Sequence, residues 1–473
     1  MSRAAPCIRC GLVFQKQAGE QHQLVHDLLE RNRAREHVEL GNLRHEWMEF
    51  VLMSLPKNPQ IKSIDIKWNK FHSRKVVTKC GVLVGQMPAL ESLRIYDCSY
   101  PILSSMVDLL GGISQSASLQ RLHLRECELD SDIIGALESL VRKVSTLREL
   151  LIVQKYQTDP RHWVPLLLEI SKRRLRKLRI CEPTHRIVLP EEPDCNPIDY
   201  YWAIGQVLNG TRTLQELHLE NVALGDRGAG VMANALRLQN RTLRVLNLKG
   251  NQLGRESATA LGAALEQNIM LTRLELNNNL LSGCLRPILR GMQRLLALKS
   301  ICLDQNELND DDAVTISEEL SNTGLMELQL NDNSIGDRGV AALAPVLVDC
   351  SLEILGLSHN YISTEGFVAL ATHLPRVTNL SVLGVVANDY SLEAEDAMLE
   401  ALKVNTSICR LSYLSSPQFS YYTRLNEAGR GLLGRDNVSP GLWTHVLAKH
   451  HDHDVVYYFL KEKPELCSSL GGQ

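Results

Sequence analysis

The chain has 473 residues, of which 44% are apolar and only 5% aromatic, so it can bury a large core that must be mainly aliphatic. The formal net charge of −3 disfavours a general attraction to nucleic acid, and no apolar run approaches the roughly 18 residues of a membrane span. Twelve scattered cysteines and no apolar segment after Met1 favour a reducing compartment with free thiols. We therefore expect a cytoplasmic protein, with the nucleus as the alternative, and neither nucleic acid nor a membrane as partner.

The first 55 residues lack a repeated pattern, and they are predicted to be helical, for example over Gln21–Glu39. Two cysteines and two histidines in this segment have nearly the spacing of a tetrahedral zinc site: Cys7, Cys10, His22 and His26. The spacing between the second cysteine and the first histidine is one residue short of about 12, and Glu20 stands where that motif has an apolar residue. We expect no metal and no cofactor, although zinc binding by these four side chains stays open.

From Ile61 onward, one pattern recurs in 13 copies. Each copy has apolar residues at its first, fourth, sixth and eleventh positions, and commonly Asn at its ninth. Successive copies begin 27 to 29 residues apart, except for one step of 39 residues between Leu175 and Leu214. The copies begin at Ile61, Leu90, Leu119, Leu147, Leu175, Leu214, Leu243, Leu271, Leu298, Leu325, Leu352, Leu380 and Ile408.

Each copy predicts a short strand followed by a helix. The alternation of apolar residues is that of the two faces of a strand, and the Asn amide can satisfy free backbone groups where the chain leaves it. Small and apolar residues follow, as in residues 336–344, and they indicate a closely packed helix. One copy cannot bury its own leucines, so the copies are expected to stack into one core.

This pattern is similar to the ribonuclease-inhibitor-like subclass of leucine-rich repeat proteins, whose repeat domains also occur in cytosolic receptor proteins and Ran GTPase-activating proteins. The resemblance covers about Ile61–Ser416. It implies an α/β horseshoe, a solenoid with parallel strands on the concave face and helices on the convex face. Because a solenoid needs ends that cover its core, we predict a helical N-terminal cap (1–55), a solenoid of about 13 repeats (56–420) and a helical C-terminal cap (421–473).

Several copies depart from Asn at the ninth position. Cysteine is a known substitute in the family, so Cys98 and Cys127 are expected to be structural. Lys155, Pro183 and Val222 are poor substitutes, and they fall in three consecutive copies around the long step. Because prolines interrupt regular structure, the proline-rich residues 182–197 predict a protruding insertion. It is either a tolerated surface loop or a contact loop for a partner.

The densest basic run, residues 172–179, lies just before this insertion. Three interpretations are open: a solvated face, a contact for an acidic partner, or a nuclear address. The run overlaps a predicted strand, which makes a nuclear address less accessible.

The outward-facing strand positions are the candidates for binding a partner. The fifth residue of each copy, with some of its neighbours, should point away from the core on the concave face. These side chains run from basic to acidic along the chain, and residues 1–200 hold 29 of the 51 Lys and Arg but only 24 of the 54 Asp and Glu. The alternative is that most of them only keep the surface soluble. The candidates are Arg94, His123, Arg125, Arg179, His218, Asn247, Glu275, Asp304 and Gln329.

The sequence contains no phosphate-binding loop, no nucleophile elbow and no HExxH motif. We therefore predict a protein without catalytic residues, a scaffold or recognition protein that binds a protein partner on the concave face. The fold serves many functions and does not identify that partner. One alternative is a GTPase-activating protein or another enzyme regulator resembling the Ran activator, which GTP hydrolysis assays would detect. Another is a nucleic-acid binder, whose affinity would fall steeply with salt.

Overall fold

The structure is a computed structural model that describes residues 36–41, 60–67, 74–97, 104–183, 198–238, 240–294, 297–412, 417–433, 443 and 452–464. The chain divides into two compact units. Unit 1 comprises Met1–Ala223 and Gln239–Leu243, and unit 2 comprises Leu224–Leu238 and Arg244–Gln473.

Unit 1 alternates short strands with helices, and its seven strands pair in parallel in chain order. The strands are β1 (His37–Gly41), β2 (Ser63–Lys67), β3 (Ser92–Tyr96), β4 (Arg121–Cys127), β5 (Glu149–Gln154), β6 (Lys177–Cys181) and β7 (Glu216–Glu220). The helices are α1 (Arg74–Gly85), α2 (Ser104–Ile113), α3 (Ser131–Lys143), α4 (Pro160–Ser171) and α5 (Ile198–Gly210). In β4 the buried Leu122 and Leu124 alternate with Arg121 and His123, so one face of the strand packs on the core.

Unit 2 continues the same alternation with seven shorter strands. The strands are β8 (Val245–Asn247), β9 (Arg273–Glu275), β10 (Ser300–Cys302), β11 (Glu327–Gln329), β12 (Ile354–Gly356), β13 (Val382–Gly384) and β14 (Arg410–Ser412). The helices are α6 (Gly225–Leu238), α7 (Arg255–Leu265), α8 (Arg286–Arg294), α9 (Asp310–Leu320), α10 (Asp337–Val346), α11 (Thr364–His373), α12 (Leu392–Val404), α13 (Pro417–Glu427) and α14 (His453–Glu462). The strands from β8 to β14 pair in parallel with their neighbours.

The strands confirm the register of the repeat. Each strand from β2 to β14 begins two residues after the start of one sequence copy, as Ser63 does after Ile61 and Val245 after Leu243. The predicted α/β architecture of parallel strands alternating with helices is therefore confirmed.

The strand β1 corrects the expectation at the N-terminus. Residues 37–39 were expected to end a helix over Gln21–Glu39, but His37–Gly41 is a strand paired with β2. The buried Val38 and Leu40 keep the alternation of a repeat strand. The sequence pattern missed this copy because Arg35 stands where the first apolar residue belongs. The four possible zinc ligands and residues 1–35 lie outside the described residues.

Asparagine side chains join neighbouring repeats of unit 2. Asn279 Oδ1 accepts hydrogen bonds from the backbone N–H groups of Asn251 (3.0 Å) and Leu253 (3.1 Å) in the preceding repeat. Its Nδ2 donates to the carbonyl groups of Leu248 (3.1 Å) and Leu276 (2.8 Å). Corresponding bonds to both repeats are made by Asn333, Asn360 and Asn388. The predicted role of the ninth position is confirmed here, because these amides satisfy backbone groups that the short strands leave unpaired.

The ninth position in unit 1 is filled differently. Cys127 is buried, and its Sγ lies 3.5 Å from the Arg125 carbonyl oxygen, as expected for a structural substitute. Cys98 lies outside the described residues. Seven cysteines lie in the described ranges, and none of them forms a disulfide: Cys80, Cys127, Cys181, Cys284, Cys302, Cys350 and Cys409.

Three consecutive copies of unit 1 carry a buried polar residue one position earlier than expected. Gln154 Nε2 donates to Glu182 Oε1 (3.2 Å), and Thr158 Oγ1 donates to Gln154 Oε1 (2.5 Å). Asn221 Nδ2 donates to the Glu182 carbonyl group (3.0 Å). Burial raises the pKa of Glu182 to about 7. Glu182 thus belongs to the repeat core, not to the insertion predicted to begin there, and residues 184–197 lie outside the described residues.

The helices of unit 2 are joined by aspartates and by close backbone contacts. Asp337 Oδ1 accepts hydrogen bonds from the N–H groups of Ser363 (2.7 Å) and Gly366 (2.9 Å), so it caps the helix of the following repeat. On α7, a Cβ added to Gly262 would lie 2.4 Å from the Pro287 carbonyl oxygen of α8. These helices can therefore approach so closely only because that position is glycine.

The residues after β14 pack on the last repeat. Asn426 Nδ2 donates to the carbonyl groups of Asn405 (3.1 Å) and Ile408 (2.9 Å), and the buried Arg430 Nη2 donates to the Leu402 carbonyl (2.8 Å). A separate apolar cluster of this segment contains Leu425, Ala428, Trp443, Val455 and Phe459. The first helix of this segment begins at Pro417, four residues before the boundary predicted for the C-terminal cap (421–473), which stays a prediction.

We predict that Leu330→Ala destabilises unit 2. Leu330 is fully buried in the most regular repeats, as Leu303 is, so the substitution removes buried methyl groups and leaves a cavity. The expected loss is roughly 2–5 kcal/mol of unfolding free energy, measured by urea denaturation followed by circular dichroism. Leu280→Ala is the matched control because Leu280 is exposed. Equal stability of wild type and Leu330→Ala would contradict the repeat register.

We predict that Glu182 makes unit 1 less stable as the pH rises. Its pKa is raised in the folded state, so the unfolded chain loses this proton first, and stability should fall between about pH 4.5 and pH 7. Glu182→Gln removes this ionisation. The free energy of unfolding of the variant, relative to that of wild type, should therefore rise by about 3 kcal/mol across that interval. Urea denaturation at several pH values measures it, with exposed Glu128→Gln as control. A difference in unfolding free energy between Glu182→Gln and wild type that does not change with pH would refute the prediction.

Candidate partner-binding surface

The outward side chains of unit 1 form rows across its strands. In-register pairing brings Arg94 opposite His123, and His123 opposite Leu151. Leu151 in turn pairs with Arg179, and Arg179 with His218. Paired strands lie about 4.8 Å apart, so these predicted candidates share one row. We call the outward-facing side of β1–β7 the unit 1 strand face.

A group of cations surrounds Tyr96 on this face. Lys67 Nζ lies 5.4 Å and Arg125 Cζ 5.7 Å from the centroid of the Tyr96 ring, both within cation–π distance. Arg94 Nη1 lies 3.5 Å from Asp65 Oδ2. Arg125 is exposed, and within the described ranges no carboxylate forms an ion pair with it. Arg125 therefore presents its positive charge to solvent.

His123 occupies the middle of this basic region. Burial lowers the pKa of its imidazole to about 4, and the positive charges of Arg94, Arg121, Lys177 and Arg125 act in the same direction. The ring is therefore neutral at neutral pH. Only 18% of the side chain is exposed, so the surface that it offers to a partner is small.

The candidates on β6 and β7 are engaged with one another. Arg179 contacts both carboxylate oxygens of Glu220, at 3.0 and 3.1 Å. His218 lies between Glu216 (3.5 Å) and Glu220 (3.9 Å), and Lys177 Nζ lies 2.5 Å from Glu216. These groups neutralise each other, so Arg179 and His218 offer a partner less charge than the sequence implied.

The basic run at 172–179 is largely paired. Lys172 Nζ lies 3.6 Å from Glu169, and Arg173 Nε donates to the same carboxylate at 2.8 Å. Two further members are Lys177 and Arg179, paired with glutamates of β7 as given above. The remaining basic residues are Arg174 and Arg176, which are exposed. Most basic side chains of the run thus form ion pairs with glutamates of unit 1.

The outward residues of unit 2 form a second row. Asn247 pairs with Glu275, and Glu275 with Cys302, which pairs in turn with Gln329. Arg273 links two acidic residues, because its Nε donates to Glu275 (2.6 Å) and its Nη1 to Glu327 (2.9 Å) two strands away. We call the outward-facing side of β8–β14 the unit 2 strand face.

Amide groups hold the acidic part of the unit 2 strand face in place. The Asn331 backbone N–H and its Nδ2 both donate to Asp304 Oδ1, at 2.8 and 3.0 Å. The same Nδ2 donates to Gln329 Oε1 (3.0 Å), and Gln329 Nε2 donates to Glu327 Oε1 (3.2 Å). Burial raises the pKa of the Asp304 carboxyl from its ordinary value. Asp304 and Gln329 are thus fixed in one network.

Asn247 differs from the expectation of an exposed contact. It is only 5% exposed, and its Oδ1 accepts a hydrogen bond from the Lys249 N–H (2.9 Å). A short amide readily bonds its own backbone two residues on, and this folds the side chain against the chain. Asn247 therefore supports the turn after β8, and it presents little surface to a partner.

Sequence reasoning missed residues that organise both faces. Arg121, Arg273 and Glu327 occupy the third position of their copies, and Tyr96 and Asn331 the seventh. The signal was present, because side chains two residues apart on a strand share a face. The third and seventh positions must therefore point outward with the fifth.

In the part of the chain that the structure describes, no group of three or more metal-ligating side chains is found. A search of the same residues finds no helix long and apolar enough to cross a bilayer.

Comparison with known proteins links this geometry to a family. The leucine-rich repeat family matches residues 239–262 and 321–344. The chain is 28% identical over 284 residues to the human NACHT, LRR and PYD domains-containing protein 5, covering 54% of this chain and 22% of that protein. It is 27% identical over 252 residues to the pig (Sus scrofa) ribonuclease inhibitor, covering 46% of this chain and 52% of that protein. The chain thus spans less than two thirds of either relative.

Two solved structures align with much of this chain at TM-scores below 0.5. The yeast Rad7 and Elc1 complex contains a chain with a TM-score of 0.43 and 16% identity, covering 85% of this chain and 93% of that chain. An internalin from Listeria monocytogenes also has a TM-score of 0.43, with 13% identity, covering 79% of this chain and 95% of that chain. Both scores are low, and neither likeness adds to the assignment.

The repeated strand and helix, the buried asparagines and the family match define the class: the chain is a leucine-rich repeat protein. The copies recur every 27 to 29 residues outside the long step, and every described strand from β2 to β13 is followed by a helix. These features and the similarity to the ribonuclease inhibitor identify the subclass of repeat: the repeats are ribonuclease-inhibitor-like.

We predict that His123 titrates near pH 4 in the folded protein. Arg94→Gln removes one of the positive charges that oppose its protonation, so the His123 pKa should rise toward the ordinary value of about 6.5. Burial persists in the variant and keeps the rise incomplete. NMR of the imidazole Cε1–H signal against pH measures both values, with Arg255→Gln on α7 as control. An unchanged midpoint in Arg94→Gln would contradict this account.

Proposed function

We propose that the protein is a non-enzymatic recognition or scaffold protein that binds a protein partner on its strand faces. The proposal rests on one observation. The outward polar side chains of the strands lie in rows, in register, and hydrogen bonds and cation–π contacts among them hold them in place. Asp304, Gln329 and Asn331 form one such network, and Lys67, Tyr96 and Arg125 form one contact group. Side chains fixed before binding lose less conformational entropy when a partner arrives.

The distribution of charge supports a protein partner with charge of its own. The outward positions of β3 and β4 carry the exposed Arg125 together with Arg94 and Arg121, whereas β9–β11 carry Glu275, Glu327 and the nearby Asp304. Complementary charge raises association rates and selects among partners.

The family relationship supports binding rather than catalysis. The pig ribonuclease inhibitor is named for inhibiting an enzyme. We propose that this chain likewise acts through a protein contact, in the cytoplasm or nucleus.

We predict separate kinetic effects for the two strand faces. Arg125→Glu should slow association with the partner and weaken its salt dependence, because it removes steering charge. Glu275→Ala with Asp304→Ala should speed dissociation by roughly tenfold, the loss typical of fixed contacts near the centre of an interface. The partner is captured from a lysate by immobilised wild-type protein, identified by mass spectrometry, and then measured by surface plasmon resonance.

Two helix-face variants serve as controls. Lys143 on α3 and Arg255 on α7 are exposed, so Lys143→Glu and Arg255→Glu make the same charge reversal away from the strands. Partner kinetics should be unchanged in both. If the strand-face variants bind like wild type, while removal of residues 184–197 or of the segment after Pro417 abolishes binding, the strand faces do not carry the function.

A further inference from the structure

We propose that the β2–β4 part of the unit 1 strand face binds an acidic peptide segment of the partner, in an extended conformation with carboxylates at alternating positions. This inference rests on the proposed function and specifies the chemistry of the partner at one place. The cationic cluster, as we call it, consists of Lys67, Arg94, Arg121 and Arg125 around Tyr96 and His123.

The members of the cationic cluster occupy neighbouring outward positions. Tyr96 pairs in register with Lys67 on one side and with Arg125 on the other, and both cations contact its ring. Arg94 pairs with His123 on the adjacent strand. Arg121 and Arg125 stand at either side of His123 on β4, about 13 Å apart along the strand. The cations therefore form a strip, and they do not converge on one point.

The cationic cluster keeps a surplus of positive charge. The alternating positions on this side of β3 and β4 hold the buried Ser92, Arg94, Tyr96, Arg121, His123 and Arg125, three arginines and no carboxylate, and the exposed Glu126 follows Arg125 where the register of β4 shifts. Lys67 is paired with Glu39 at 3.1 Å, whereas the arginines make only long contacts with carboxylates: Asp65 lies 3.5 Å from Arg94, and Glu91 lies 3.7 Å from Arg121. Arg125 forms no ion pair with any described carboxylate. An arriving anion can therefore reach the three arginines without first breaking a short ion pair.

The strip geometry selects an extended acidic peptide. A single phosphate group is held best by cations that converge on it, whereas these lie at successive strand positions. An extended chain presents every second side chain on one face, at steps of roughly 6.6 Å, the same step that separates the outward positions of β4. Glutamates at alternating positions can therefore reach Arg121, then Arg94 of β3 at the level of His123, then Arg125. Guanidinium groups bind carboxylates through paired hydrogen bonds.

His123 reports on occupation of the cationic cluster. The repulsion of surrounding cations contributes to its lowered pKa, and a bound carboxylate would offset that repulsion. Binding should therefore raise the His123 pKa. Glu149 Oε2 lies 3.8 Å from Nε2, beyond hydrogen-bond distance. The charged groups that face the ring are Arg94 of β3, Arg121 and Arg125 of β4, Glu149 of β5 and Lys177 of β6.

The test uses the full chain and a fluorescein-labelled peptide of alternating glutamate and serine, measured by fluorescence anisotropy. A peptide with glutamine in place of glutamate is the uncharged control. We expect wild type to bind the glutamate peptide, with affinity that falls as salt is added. Arg94→Gln and Arg125→Gln should each weaken binding at least about tenfold, and Arg255→Gln should not. Saturating peptide should raise the His123 midpoint seen by NMR.

Three results would overturn the proposal: equal binding of the glutamine peptide, equal binding by the two cluster variants, or a His123 midpoint that peptide does not move. A third peptide carries phosphoserine at the same positions. If only that peptide binds, the cationic cluster recognises phosphate groups and not carboxylates. Circular dichroism confirms that each variant folds. If the peptide fails but capture of a partner still depends on Glu275 and Asp304, this inference falls and the proposed function stands.

Discussion

Buried amides fix the register between neighbouring repeats of unit 2, and the arrangement of the unit 2 strand face depends on that register. Asn279 bonds backbone groups of two repeats at once, and Asn333 does the same further along. A shift of one residue would turn every outward side chain toward the core. The order of charged groups on the strand face is therefore set by hydrogen bonds that lie beneath it.

Much of the fold could be predicted because its signal is local and repeated. Alternation within a copy places Leu274 inside and Glu275 outside, and a spacing near 28 residues stacks the copies. The same periodicity placed Arg94, His123 and Arg179 in one row before any distance was known. Where a copy departs from the pattern, the signal weakens, as at β1, where Arg35 replaces an apolar residue.

The interactions among the outward residues could not be predicted, because they depend on distances between strands. Arg179 and Glu220 are 41 positions apart, yet they form a two-point ion pair that removes most of the charge expected of Arg179. Asn247 folds against its own turn for a local reason that the repeat pattern does not contain. Glu182 replaces the usual amide one position early, so a search at the ninth position passes over it.

The reach of Arg273 has a consequence for how such an array can change over evolutionary time. Repeat proteins are commonly treated as chains of modules in which each module interacts only with the next. Arg273 crosses the small Ser300 to meet Glu327, and Ser300 Oγ donates to the same carboxylate at 2.7 Å. Three successive modules are thus bound to one another as a group. Duplication of the middle module would move the two ends of this bridge apart, and its loss would remove Ser300 from the bridge, so a change in repeat number here would disrupt these contacts.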